Sequence, residues 1–198
     1  MKQLSILLLL LCTCSLYAQN DAEPPLTPSV FSVWSQRMDL SAYIGKKYRL
    51  TVAIRALPGN PEAFAVAFIR NEIPEGGLRA WTFMDNMMDR PVRDSTWKTC
   101  TLEHSVDKNA PWIGFGVLAY SSGQFFYDDM HLSVESEAGK WTELPVPNGN
   151  FENHEIDPWQ QTAQGVPARV LGAKAILDNR APFEGKQCLM IENRFLKK

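Results

Sequence analysis

Apolar and polar residues alternate with a period of two along most of this chain. Tyr48, Leu50, Val52 and Ile54 are each separated by a polar or small residue, the pattern of a strand with one buried face. Upstream, Phe31 and Val33 followed by Met38 and Leu40 predict a strand with a local irregularity. Further runs lie at Phe64 to Ile69, Ala80 to Met84, Trp97 to Val106, Trp112 to Tyr120 and Phe125 to Val134. Turn residues punctuate them, as in Pro58-Gly59-Asn60-Pro61, Asp89-Arg90-Pro91, Asn109-Ala110-Pro111 and Ser121-Ser122-Gly123. Short strands between Gly, Pro, Asn and Ser clusters predict an all-β protein, a β-sandwich or jelly roll. No stretch beyond the N-terminus has the pattern of a long amphipathic helix.

The strand pattern divides the chain. Residues 31–137 hold the main series of strands, and 138–198 form a sparser section. There, Trp141 to Leu144 leads into Pro145 and Pro147, an apolar patch runs from Val166 to Leu177, and a last strand covers Cys188 to Glu192. About 60 residues with few strands make too small a core to stand alone. The section either begins a second domain or folds back to complete the first sandwich. Docking is favoured physically, because half a sandwich leaves an open sheet edge and an exposed apolar face.

The N-terminus sets the expected compartment. Lys2 precedes the apolar run Leu4 to Leu11, and Ser15-Leu16-Tyr17-Ala18 gives a small-residue exit. This order predicts a signal peptide over 1–18, cleaved after Ala18, and a secreted or periplasmic protein. The run is too short for a transmembrane helix, which needs about 20 apolar residues. Lipidation at Cys14 is the less favoured alternative, because Leu11-Cys12-Thr13 puts no small residue where a lipobox wants one. Residues 19–30 are Pro-rich and polar, an extended leader. A net charge of −2 without a basic block excludes the usual footprint of a nucleic-acid binder. Of four cysteines, Cys100 and Cys188 lie beyond the signal peptide. They are too far apart for a zinc or CxxC motif and fit buried free thiols better than a disulfide.

Candidate chemistry is sparse. The three histidines, His104, His131 and His154, adjoin no nucleophile motif, and neither G-x-S-x-G nor H-E-x-x-H occurs. The chain is therefore read as non-catalytic. A glycosidase-type carboxylate pair leaves no trace in spacing, and a hydrolase would need two carboxylates facing one cleft. Six tryptophans offer ring surface of the kind on which sugars stack. Trp97 and Trp112 open strands and are expected to be buried. Trp81 follows a Gly-rich loop and is the better ligand-facing ring. Asp85, Asn86, Asp89 and Arg90 form the densest polar cluster, with Trp81, Asp85, Asn86 and Arg90 the candidate ligand-binding set. The competing reading makes the cluster a turn, braced by an Asp85–Arg90 pair. Asp128 and Asp129 are neighbours on one strand and are expected on opposite faces.

The stretch Asp39 to Leu50, the segment Asp85 to Val92, Ile113-Gly114-Phe115-Gly116 and Gly123 to Leu132 together resemble galactose-binding-like, carbohydrate-binding-module-type jelly rolls. The likeness covers residues 31–136. It is similar to the non-catalytic N-terminal region of secreted Bacteroidetes proteins, some of them fused to S41-type peptidases. Asn148, Gly149, Phe151, Glu152, Trp159, Gly185, Lys186 and Leu189 match the opening of such a domain. The resemblance implies a jelly-roll fold that binds carbohydrate or a cell-envelope partner. It also implies a structural calcium held by Asp129 and Glu152. The alternative is a structural or protein-interaction domain, a remnant of a larger S41-type peptidase protein with no ligand of its own.

Overall fold

The computed structural model describes residues 31–74, 80–162 and 171–195. The signal peptide expected over 1–18 and the leader over 19–30 lie outside them. Eleven strands and one short 3-10 turn make up the described residues: β1 (Phe31–Asp39), β2 (Lys47–Pro58), β3 (Phe64–Glu72), β4 (Trp81–Asp85), β5 (Lys98–Ser105), β6 (Trp112–Tyr120), β7 (Gly123–Glu137), β8 (Lys140–Leu144), β9 (Gln160–Gln161), β10 (Leu171–Asp178) and β11 (Cys188–Phe195). The chain is all-β, as the alternation requires. No helix among the described residues is long and apolar enough to cross a membrane.

Two antiparallel sheets pack face to face. The first has the order β4-β3-β6-β1-β9, and the second β10-β11-β7-β2-β5, with β8 also paired to β7. Strands β8 to β11, from the sparser section, are therefore members of the same two sheets as β1 to β7. The core lies between them. Tyr48, Leu50, Val52 and Ile54 of β2 are fully buried, with Phe125, Tyr127 and Leu132 of β7 and Leu189 and Ile191 of β11. Opposite stand Trp34 of β1, Ala65, Ala67 and Ile69 of β3, and Ile113, Phe115 and Val117 of β6. Small residues on β3 and large ones on β6 let the layers interdigitate.

Polar bolts cross the core where the sheets meet. Tyr48 Oη donates to Asn71 Oδ1 at 2.7 Å, and Asn71 Nδ2 donates to the Ser105 carbonyl at 3.0 Å. At the other end, Asn193 of β11 donates to the carbonyls of Ala119 and Ser121 and accepts from Ser32 Oγ. These bonds satisfy groups that would otherwise be costly to bury.

Three expectations need correction. β1 pairs with β6 in unbroken register from Phe31 to Asp39, so it has no irregularity. Its apolar positions change parity because Phe31 and Val33 lie on the outer face of the sheet, whereas Trp34 and Met38 face the core. Trp97 and Trp112 are only half-buried, whereas Trp34 and Trp159 are the buried ones. Each half-buried ring lies on an outer face under an arginine, Arg55 over Trp97 and Arg37 over Trp112.

The third correction concerns β7. Asp129 adopts a left-handed backbone (φ 49°), and Thr51 pairs with His131 while Ala53 pairs with Asp128. Asp129 and Met130 thus stand opposite Val52 alone, which is a β-bulge. The extra residue breaks the alternation, so Asp128 and Asp129 do not point to opposite faces. Both line one cavity on the outer face of the second sheet.

Tyr48→Phe should leave the buried Asn71 Oδ1 without its donor and cost about 1–3 kcal/mol of stability. Equilibrium urea unfolding of the variant beside wild type measures this; an unchanged midpoint would refute the bolt's contribution.

Candidate functional site

The outer face of the first sheet carries a cavity of about 310 Å³. Its floor crosses three strands: Phe31 and Val33 of β1, Leu118 and Tyr120 of β6, and Phe68 and Arg70 of β3. The register places these side by side, since Phe31 and Phe64 both pair with Tyr120, and Val33 with Leu118. Met84 of β4 with Asn86 and Met88 of the following loop form one wall, and Thr162 stands on the opposite side. The Tyr120 ring stacks on Phe64, centroids 4.7 Å apart at 9°. The lining is thus mostly apolar and aromatic, with a few polar groups, the usual constitution of a small-molecule site.

Among the described residues, Arg70 is the one ionised side chain in that lining, and it is only 7% exposed. Its Nε donates to Glu72 Oε1 at 2.5 Å, and Arg37 Nε pairs with Glu72 Oε2. One buried carboxylate therefore sits between two guanidiniums. Gly114, paired across to Arg70, makes room for them. A Cβ at that position would collide with the Glu72 carboxylate and lie 2.9 Å from Arg70 Nε.

The residues expected from the sequence to bind ligand are only partly brought together. Asn86 lines the cavity, but Trp81, Asp85 and Arg90 do not. Trp81 is 45% exposed at the start of β4, and Asp85 ends that strand. Asp85 Oδ1 accepts the Met87 N–H, and Asp85 Oδ2 accepts from Arg90 at 2.5 Å. Arg90 also donates to Asp89, and the bond to Asp85 is the main reason its pKa is raised. The polar cluster is a braced turn. Arg37, Arg70, Glu72 and Gly114 were not singled out. The signal for them was a pair of opposite charges, Arg70 and Glu72, at alternate positions ending an apolar strand, beside a Gly-x-Gly strand.

A second cavity, of about 330 Å³, is lined by Asp128, Asp129, His131, Asn150, Glu152, Glu184 and Gly185. It brings together Asp129 and Glu152, the two residues proposed for calcium. One carboxylate oxygen of each is engaged by the chain. Glu152 Oε1 accepts the N–H groups of Lys186 and Gln187, which hold its pKa down. Asp129 Oδ1 pairs with His131 Nε2 at 2.6 Å. Asp128 accepts from the backbone of Asp129, Phe183 and Glu184. Calcium takes six to eight oxygens, and no three metal-binding side chains are arranged for an ion among the described residues. The donor set does not fit that ion. What it does is fasten the β10–β11 loop to β7 and to the 148–159 segment.

That segment is itself a knot. Asn148 Nδ2 donates to the carbonyls of Glu155 and Asp157, and the Asn148 carbonyl accepts from Trp159 Nε1. Phe151 and Trp159 pack at 5.4 Å, with Trp159 edge-on to Phe115 of the core. Gly185, at φ 67°, leaves the space that the Glu152 carboxylate fills. Cys100 and Cys188 are both free, Cys100 packed toward the inter-sheet core and Cys188 on the outer face with Phe126 and Met190. Burial raises both thiols, Cys188 to about 12.

No family model matches the chain, no curated protein matches it, and no solved structure matches it.

Burial pushes the Asp128 carboxyl up to about 6, against the N–H groups that favour its charge. A carboxyl whose folded pKa exceeds its unfolded value binds more protons when folded, so stability falls as pH rises between the two. Wild type should therefore lose about 2–3 kcal/mol of its margin over Asp128→Asn between about pH 4 and pH 6, and nothing further above that. Urea unfolding of both proteins across pH 4 to 8 would show this. A flat difference would place Asp128 in the ordinary carboxylate range.

Proposed function

We propose that this chain is a secreted, non-catalytic binding module of the galactose-binding-like type, and that it takes carbohydrate in the cavity on the outer face of the first sheet. The observation that carries the reading is the composition of that cavity. Aromatic and aliphatic side chains from three strands form its platform, and Arg70 and Asn86 supply directional polar groups. Sugar rings present an apolar C–H face and a rim of hydroxyls, and such a platform with a polar edge answers both. The half-exposed Trp81 lies on neighbouring β4 and extends the ring surface of that side of the molecule. The expected signal peptide supports an extracytoplasmic setting, where glycans and envelope polymers are the available partners. The non-catalytic reading is supported by the use of the acidic residues: Asp128 is 1% exposed and accepts three backbone N–H groups.

One observation favours the second reading, a structural or protein-interaction domain within a larger protein. The Asp85–Arg90 cluster and the Asp128–Glu152 cluster both serve the chain's own loops. The two readings separate on binding. A glycan array and polysaccharide pull-down with the protein from residue 19 onward should give a defined set of glycan ligands. Tyr120→Ala should then weaken the best of them about three- to tenfold, the worth of one aromatic platform. Binding to no glycan by the folded protein would overturn the carbohydrate reading and leave the interaction domain.

A further inference from the structure

We infer that the sugar bound in this cavity is an acidic one, carrying a carboxylate that pairs with Arg70, as a uronate residue does. This rests on the reading of the cavity as a carbohydrate site and names the class of sugar.

The argument is one of charge in a confined place. Arg37 and Arg70 share the single carboxylate of Glu72, so the group carries one net positive charge. Arg37 is half exposed and can be neutralised by water and salt, whereas Arg70 is 7% exposed and lines the cavity. Among the described residues, no carboxylate belongs to the lining. A neutral sugar filling the cavity would cover this guanidinium and leave its charge less solvated, which is unfavourable. A carboxylate would instead complete it. The bond to Glu72 uses Nε, one of five N–H donors, and a guanidinium presents the rest in a planar fork matched to a carboxylate.

The rest of the molecule does not supply this preference. The chain has net charge −2, and the second cavity is lined by four carboxylates, so long-range electrostatics repel an acidic polymer. A preference for the acid over its neutral form must arise at a local cation. Among the described residues, Arg70 is the cation placed to provide it, because Gly114 lets the Arg70–Glu72 pair lie across β6 on the cavity's side of the sheet.

The test compares one sugar in two charge states. Calorimetric titration of the protein with an oligogalacturonate and with its methyl ester keeps the ring and removes the charge. The acid should bind about ten- to a hundredfold more tightly than the ester, the usual worth of a hydrogen-bonded charge pair. Arg70→Gln should abolish that difference, bringing the acid's affinity down to that of the ester. Glu72→Gln, which frees the second guanidinium, should widen it, and it stands as the independent variant should Arg70→Gln not fold. Equal binding of acid and ester by wild type, or a preference that survives in Arg70→Gln, overturns the acidic ligand and leaves a neutral carbohydrate site. Binding of neither form, together with an empty glycan array, overturns the carbohydrate reading itself.

Discussion

The bulge in β7 is the constraint on which most of the architecture turns. β7 is fifteen residues long and central to the second sheet. Phe125 and Tyr127 face the core at one parity, Met130, Leu132 and Val134 at the other. Strict alternation would send one of these sets to solvent. Inserting Asp129 in a left-handed conformation resets the parity, so both halves of the strand bury their apolar residues. Aspartate tolerates that conformation better than a branched residue would. The reset also divides the strand's free edge: residues 123–127 pair with β11, and residues 132–137 pair with β8.

From that division follows the role of the C-terminal section. The gap between the two partners of β7 lies at Asp128 to His131, where the bulge has turned two carboxylates outward. The β10–β11 loop closes over this gap by donating backbone N–H groups to Asp128, and the 148–159 knot ties to the same loop through Glu152. Burial works against charge on His131, yet its bonds to Glu143 and Asp129 outweigh it and raise its pKa. The acidic residues of this end hold four chain segments together. Without β9 to β11 the first sheet would lose an edge strand, the second two strands, and the Asn193 bolt would be gone.

Much of this was written in the chain, but not at the same depth throughout. The period-two runs marked β2, β6 and β7 closely, because each has one face on a continuous core. β1 misled, since it carries apolar residues on both faces, Phe31 and Val33 outward and Trp34 and Met38 toward the core, and such a strand has no reason to alternate. The parity change in β7 could be read from Tyr127 and Met130 alone, and it contradicted placing Asp128 and Asp129 on opposite faces. The candidate site was less legible for a different reason. Trp81, Asp85, Asn86 and Arg90 are close in sequence, and closeness in sequence favours turns, whose polar groups satisfy one another. The cavity assembles residues some 130 positions apart, from Phe31 to Thr162, and only strand order brings them together.

Stability alone gives a poor account of what sits in that cavity. A buried carboxylate between two guanidiniums pays heavily in desolvation, and well-packed apolar residues in its place are often as stabilising or more so. The first sheet has no shortage of such residues, since Val66 and Phe68 are buried on the same face of β3. The arrangement also demands a glycine at position 114, in mid-strand, where glycine weakens a sheet. A fold selected for its own stability would fill this space with leucine or phenylalanine. The charged group set on an apolar floor, open to a cavity of about 310 Å³, is what the proposed acidic-sugar site calls for: one half of an interaction whose other half would arrive from solution.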